Sequence, residues 1–144
     1  MNGWLLDESV LLELRKPSPD PRVTSWSNAQ PRESLFLSTA TIAAIRRGMD
    51  RRCDARLRTE VDFWIDQSLK PWFGSRLLPL TEDIVLEWLR IRDREGPPGG
   101  GPGQTDLLLA ATARVHRLTV CTGDDRAFQL AGVPLFNPWS ASRP

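Results

Sequence analysis

Three aspartates stand where an α/β fold could bring carboxylates together. Asp7 and Asp124 each follow a short apolar run that predicts a strand, at residues 4–6 and 118–122. Asp106 begins a stretch that is apolar nearly all round, which predicts a buried helix. The free backbone N–H groups at a helix start favour a charged carboxylate there. All three acids are therefore candidates for one charged site.

The chemistry expected of such a group is metal-assisted. Carboxylates that converge in one pocket repel each other, and a hard divalent cation such as Mg²⁺ or Mn²⁺ relieves that repulsion. The reaction this predicts is hydrolysis of a phosphodiester, in which the ion activates water and stabilises charge on the phosphoryl oxygens. The alternative is structural: an acid at a helix start is more often a cap, and acids after strands are common in turns.

The elements that must position these acids alternate along the chain. Further strands are predicted at residues 35–38, 77–80 and 133–136, and helices at residues 10–15, 21–26, 42–52, 55–72 and 84–91. We expect Thr39 or Thr41 to cap the helix at 42–52, Thr81 to cap the helix at 84–91 and Thr105 to cap the buried helix. The alternation implies a central, mostly parallel sheet of four to five strands flanked by helices, with its ligand site beyond the C-terminal strand ends.

Length, composition and charge bound the class of protein. The 144 residues, 40% apolar and 26% charged, suit a single domain spanning 1–144. Nineteen basic and eighteen acidic side chains leave a net charge of +1, which argues against a polybasic binder. Cys53 and Cys121 are too far apart for a CxxC pair, so neither a disulfide framework nor a zinc site is predicted. Without a membrane span or signal sequence, we expect a cytoplasmic protein.

Two further sequence features bear on the binding of RNA or phosphate. Arg46 and Arg47 open a basic cluster that continues through residues 51–52; such a run is usually a solvated helix face, but it could also contact an RNA backbone beside the site. The glycine- and proline-rich loop at 96–103 lacks the lysine of a P-loop and follows no predicted strand, so we interpret it as a flexible connection.

The order of the segments resembles the PIN-domain family, most closely the VapC and FitB-like toxins of bacterial toxin–antitoxin pairs. The segments that carry this likeness are residues 5–7, 37–38, 41–48, 105–113, 120–124 and 137–139. The resemblance implies a three-layer PIN-like fold and a metal-dependent endoribonuclease that acts on RNA. It also implies a homodimer that a cognate antitoxin protein holds inactive, with no role for a membrane.

The resemblance also assigns roles to residues. Asp7 matches the first acid of the family, Asp106 the third and Asp124 the fourth, and all three are implied as metal ligands and catalytic residues. Thr122 matches the hydroxyl residue that orients the fourth acid. Ser9 can supply a hydrogen bond at the position after the first acid.

Two positions depart from the family pattern. Ala44 stands where the family has its second acid, a glutamate, so weakened metal binding and reduced or absent hydrolysis are expected. Ala44 could reflect natural decay of an inactive homologue or a substitution that makes a toxic nuclease easier to produce, and the intact remaining acids favour the second. Glu8 is also unexpected; we interpret it as a solvated acid of the first helical turn, the alternative being an extra charge at the site.

Two functions therefore stay open on sequence. The first is a toxin ribonuclease, predicted by the three acids and the segment order. The second is a catalytically inactive PIN-fold module that binds a partner or RNA, predicted by Ala44. A nucleotide-binding domain of another kind ranks last, because no glycine fingerprint follows the first strand.

Overall fold

The computed structural model of the protein describes residues 3–52, 54–95, 103–124, 126–129 and 131–140. Cys53 and the predicted loop at 96–103, apart from Gly103, lie outside the described residues. In the described part of the chain, no helix has the length and apolar character needed to cross a membrane.

A five-stranded parallel sheet forms the centre of the molecule. Its strands, numbered along the chain, are β1 (Gly3–Leu6), β2 (Leu35–Ser38), β3 (Leu77–Leu78), β4 (Leu118–Cys121) and β5 (Leu135–Phe136). They lie in the order β3-β2-β1-β4-β5, with β1 in the middle. Leu5 pairs with Phe36 on one side and with Val120 on the other. The predicted parallel sheet is confirmed, and the ends of β1 and β4 lie side by side as the site requires.

Helices cover both faces of the sheet. They are α1 (Glu8–Arg15), α2 (Pro21–Ala29), α3 (Thr39–Arg52), α4 (Ala55–Trp64), α5 (Lys70–Phe73), α6 (Glu82–Glu95), α7 (Gln104–His116) and α8 (Arg126–Gln129). Consecutive strand residues point to opposite faces, so Leu5 joins the core against α6 and α7 while Leu6 joins the core against α1, α2 and α4. The result is the three-layer α/β architecture that the alternating pattern predicts.

Several helix boundaries differ from the sequence prediction, each for a local reason. Ser38, not Thr39 or Thr41, caps α3: its hydroxyl accepts the Ala40 N–H at 3.0 Å. Gly103 is the cap residue of α7, so Thr105 lies inside the first turn. In both cases the helix starts earlier than predicted because capping depends on backbone angles that residue type alone does not set.

Other elements differ in length. The helix predicted at 55–72 is interrupted by a π-helical turn at Ile65–Leu69, which joins α4 to α5. The third strand is only Leu77–Leu78, since Pro79 cannot donate a backbone hydrogen bond to a neighbouring strand. The Thr81 cap is confirmed, with the Ile84 N–H 3.4 Å from its hydroxyl.

Candidate active site

Asp7 lies at the C-terminal end of β1 and caps α1. Its backbone N–H continues the ladder with β4 by donating to the Cys121 carbonyl at 3.1 Å. Its carboxylate accepts the Val10 N–H at 3.2 Å, and the Ser9 hydroxyl at 2.5 Å. The residue is only 7% exposed. Burial raises the pKa of Asp7, and hydrogen bonds from Ser9 and Thr122 oppose that rise.

Thr122 connects the first acid to the fourth. It is fully buried just past β4. Its hydroxyl hydrogen-bonds the Asp7 carboxylate and accepts the Asp124 N–H at 2.9 Å. Ser9 makes a second connection, because its hydroxyl also accepts the Gly123 N–H at 3.0 Å. The turn that carries Asp124 is therefore bound to the end of β1 at two points.

Asp106 faces the same region from the first turn of α7. Partial burial raises the pKa of its carboxyl, a hydrogen bond with the Gly103 backbone lowers it, and the negative charges of Asp7 and Asp124 raise it further. Asp106 thus interacts electrostatically with both other acids, although the three residues belong to different elements.

Glu8 adds a fourth negative charge. It is exposed in the first turn of α1, as expected for a solvated acid. However, partial burial of its carboxyl raises its pKa, and the charges of Asp7 and Asp106 raise it further. Glu8 is therefore also an extra charge near Asp7 and Asp106. The sequence favoured a purely solvated acid, and that interpretation does not include this interaction.

The acids do not close around a single point. Within the described ranges, no group of three or more histidine, cysteine, aspartate or glutamate side chains is placed to hold a metal ion. Position 44, on α3, carries the half-buried Ala44 and adds no oxygen donor. The donor chemistry nevertheless fits a hard cation, since buried and mutually repelling carboxylates gain most from one.

A family model described as the PIN domain matches residues 4–133. The chain belongs to the PIN-domain family. This PIN domain is 34% identical over 135 residues to toxin FitB of Neisseria gonorrhoeae, with 94% of this chain and 97% of that protein covered. It is 33% identical to the VapC ribonuclease Y4jK of Sinorhizobium fredii, with 94% and 96% covered.

A solved structure supports the fold assignment. The crystal structure of FitAcB from Neisseria gonorrhoeae superposes on this PIN domain with a TM-score of 0.80 at 33% identity, covering 95% of this chain and 99% of that one. The family resemblance found in the sequence is therefore confirmed over nearly the whole chain.

The two arginines predicted as possible RNA contacts differ in their surroundings in this PIN domain. Arg46 forms ion pairs with Asp62, and with Asp66 at 2.9 Å, which tie α3 to α4 and the π turn. Arg47 is exposed on the same helix.

Sequence reasoning missed the way in which the C-terminal segment contacts the site of this PIN domain. Asn137 and Trp139 both touch Gly123, the residue before Asp124. From the sequence, residues 137–139 indicate only a likeness to the toxins. The available signal was the glycine between Thr122 and Asp124, which suggests a close approach by another part of the chain.

Proposed function

We propose that this PIN domain is the toxin of a toxin–antitoxin pair and a metal-dependent endoribonuclease, weakened by Ala44. The proposal is supported by one electrostatic relationship: the negative charges of Asp7 and Asp124 both raise the pKa of Asp106, and all three acids belong to elements at the sheet edge where α/β folds bind ligands. The likeness to toxin FitB and to a VapC ribonuclease supports it.

Asp7, Asp106 and Asp124 would hold the ion, Mg²⁺ or Mn²⁺. Bound there, it would lower the pKa of a water molecule and stabilise charge on the phosphoryl oxygens of RNA. Burial raises the pKa of both Asp7 and Asp106, and a bound cation would oppose that rise by stabilising their charged forms. Glu8 adds to the negative potential that attracts it.

The chain's own residues orient these acids. Ser9 and Thr122 donate hydrogen bonds to the Asp7 carboxylate, which limit the directions that it can take. Thr122 also fixes the backbone of Asp124 through the Asp124 N–H. Asp106 is held by the Gly103 backbone at the start of α7. The loss of a glutamate at position 44 leaves the α3 side of the group without a carboxylate.

An antitoxin is the proposed partner, and its proposed docking site is an apolar cavity. The cavity, about 210 Å³, lies between α1, α2 and the α4–α5 region and is lined in part by Trp64 and Trp72. Arg15 stacks over Trp64, and both Arg32 and Arg76 stack over Trp72. An acidic amphipathic antitoxin segment would complement these arginines, and a basic side chain beyond it would occupy the cation position among the acids.

RNA and a second copy of the chain are the other proposed partners. Arg47 would contact the RNA backbone near the acids. The α6 helix exposes three apolar side chains, Val85, Leu86 and Leu89, each between 37% and 42% exposed. Such a patch suits a homodimer interface. Because its substrate would be RNA, the protein would act in the cytoplasm.

The second candidate is an inactive PIN-fold module that binds RNA or a partner without cutting. It is favoured by Ala44 and by the absence, within the described ranges, of a group of side chains placed to hold a metal ion. The two candidates differ in what restoring the missing acid should do.

The deciding experiment replaces Ala44 with Glu. The Ala44→Glu protein is expected to cleave RNA in the presence of Mn²⁺ at least about 100-fold faster than the unmodified chain, the order of magnitude of a charge-stabilising catalytic group. It should also be toxic when expressed without an antitoxin. The matched control is Ala44→Gln, which has a similar shape without the charge. If Ala44→Glu neither cleaves RNA nor harms cells, the toxin ribonuclease proposal fails and the binding module stands.

A further inference from the structure

The C-terminal segment after β5 holds the residue that precedes Asp124. The Asn137 side chain donates from Nδ2 to the Gly123 carbonyl at 3.4 Å, and its Oδ1 accepts the Trp139 N–H at 2.9 Å. The Ser140 N–H in turn donates to the Asn137 carbonyl at 3.1 Å. Asn137 thus makes one hydrogen bond into the turn before Asp124 and another that fixes the backbone of Trp139.

The Trp139 ring lies directly against Gly123. A Cβ atom built on Gly123 would be 2.7 Å from Cζ3 and 3.0 Å from Cε3 of that ring. The ring therefore occupies the space that any other side chain at position 123 would need. Trp139 is itself partly buried against the core on the α1 and α2 face, so the ring has a fixed support.

The backbone N–H of Gly123 is bound by Ser9, the residue whose hydroxyl also contacts Asp7. The Gly123 N–H donates to Ser9 Oγ at 3.0 Å, and the Ser9 hydroxyl donates to Asp7 at 2.5 Å. One residue earlier, the Thr122 N–H donates to the Phe136 carbonyl at 3.0 Å. Gly123 is therefore clamped between the hydroxyl that contacts Asp7 and the Asn137–Trp139 segment.

This clamp matters because Asp124 is exposed. Packing around its own side chain does not orient it, so the direction of its Cα–Cβ bond depends on the backbone that carries it. We infer that Asn137 and Trp139 are positioning residues for Asp124: by pressing Gly123 against Ser9, they fix the direction in which Asp124 presents its carboxylate to Asp7 and Asp106. The inference rests on the proposed function for its consequence in metal binding, but the clamp itself is a property of the chain alone.

The first test needs no metal. Amide hydrogen exchange is followed by NMR in metal-free Asn137→Ala and Trp139→Ala proteins. We expect the Gly123 and Asp124 amides to exchange about five- to tenfold faster than in the unmodified chain, relative to the amide of Leu5 in β1, since each relies on a side-chain hydroxyl acceptor that the clamp keeps in place. Trp139→Phe, which retains an aromatic ring, should restore most of the protection. Trp72→Ala removes a tryptophan elsewhere and should leave both amides unchanged.

The second test asks whether the contact between Trp139 and Gly123 is the cause. Gly123→Ala should accelerate exchange at Asp124, because its Cβ collides with the ring. In the double variant Gly123→Ala/Trp139→Ala the Cβ no longer collides with a ring. The Asp124 amide of the double variant should therefore exchange at the same rate as that of Trp139→Ala. Additive effects of the two substitutions would mean that they act independently, and would overturn the clamp.

The third test separates positioning from simple stabilisation. Mn²⁺ affinity is measured by calorimetry in the Ala44→Glu background, with thermal unfolding of the same metal-free proteins. Asn137→Ala and Trp139→Ala should weaken Mn²⁺ binding about three- to tenfold at temperatures where each protein is fully folded. Faster exchange with unchanged Mn²⁺ affinity, or unchanged exchange at both amides, overturns the positioning role. If Ala44→Glu itself binds no Mn²⁺, the proposed function fails, and the exchange and double-variant results still decide whether the clamp exists.

Discussion

The Ser9 hydroxyl lies 2.5 Å from Oδ1 of Asp7, two residues earlier, and donates a hydrogen bond to it. This bond is one of the contacts that lower the pKa of the carboxyl against the effect of burial. Ser9→Ala should therefore raise the pKa of Asp7 further. It should also weaken Mn²⁺ binding in the Ala44→Glu background by about tenfold, which corresponds to a hydrogen bond to a charged group worth about 1.5 kcal/mol.

¹³C NMR of the Asp7 side-chain carboxyl carbon measures the pKa, and calorimetry measures the Mn²⁺ affinity. Ser9→Thr retains the hydroxyl and is the matched control, which should behave like the unmodified chain. Equal Mn²⁺ affinity in Ser9→Ala and Ser9→Thr would show that the hydroxyl does not support the acid.

Asp7 should also make stability depend on pH in the metal-free protein. The unfolded chain has an ordinary pKa near 3.8 at this residue, and the folded pKa is higher because of burial. The folded state thus holds the proton more tightly. Its contribution to the free energy of unfolding is greatest below pH 3.8 and falls as the pH rises through the folded pKa.

Asn does not ionise, so Asp7→Asn removes the fall in the free energy of unfolding at higher pH. It also leaves an oxygen to accept the Val10 N–H. At pH 7 the metal-free Asp7→Asn protein should therefore unfold at a higher temperature than the unmodified chain. Below pH 3.8 the two proteins should unfold at the same temperature. With saturating Mn²⁺ the unmodified chain should unfold at the higher temperature. Thermal unfolding followed by circular dichroism tests this, and a metal-free Asp7→Asn protein that is less stable at pH 7 would contradict it.

How much of this site the sequence can predict depends on how local each contact is. Asp7 and Asp124 were predicted at strand ends because a short apolar run and the acid after it are adjacent in sequence, and the strands are confirmed at those positions. The pairing of Arg46 with Asp62 and Asp66 joins residues 16 and 20 positions apart. No pattern within α3 indicates it, because it depends on how α3 packs against α4.

The same reasoning explains what was missed around the acids. Glu8 was interpreted as solvated because an acid in a first helical turn usually is, but the influence of Asp106 on it arises only when α7 packs near α1. The contact of Trp139 with Gly123 likewise requires β5 to lie beside β4. Periodicity predicts elements and their order, whereas the distances between side chains of different elements follow from packing.

Substitution of Arg46 should affect the stability of the fold, whereas substitution of Arg47 should affect RNA binding. Arg46→Ala removes two partly exposed ion pairs and should destabilise the fold by about 0.5–1 kcal/mol. Arg47→Ala should leave stability unchanged, weaken RNA binding, and reduce the slope of log affinity against log salt by about one. Urea unfolding and RNA titrations at several salt concentrations, using a non-cleaving Asp7→Asn background, measure the two effects. If Arg46→Ala alone changed the salt slope, Arg46 would be the phosphate contact instead.

Arg117 should be a site where stability can be gained at the end of the sheet opposite the acids. It ends α7 with φ 57° and ψ 47°, a left-handed conformation that costs a residue with a side chain about 1 kcal/mol relative to glycine. Arg117→Gly should therefore raise the free energy of unfolding by about 0.5–1 kcal/mol, without changing Mn²⁺ affinity in the Ala44→Glu background. Arg117→Ala is the matched control: it removes the same charge but keeps the strain, so it should give no gain. Equal stabilisation by both substitutions would locate the effect in the arginine charge rather than in the backbone.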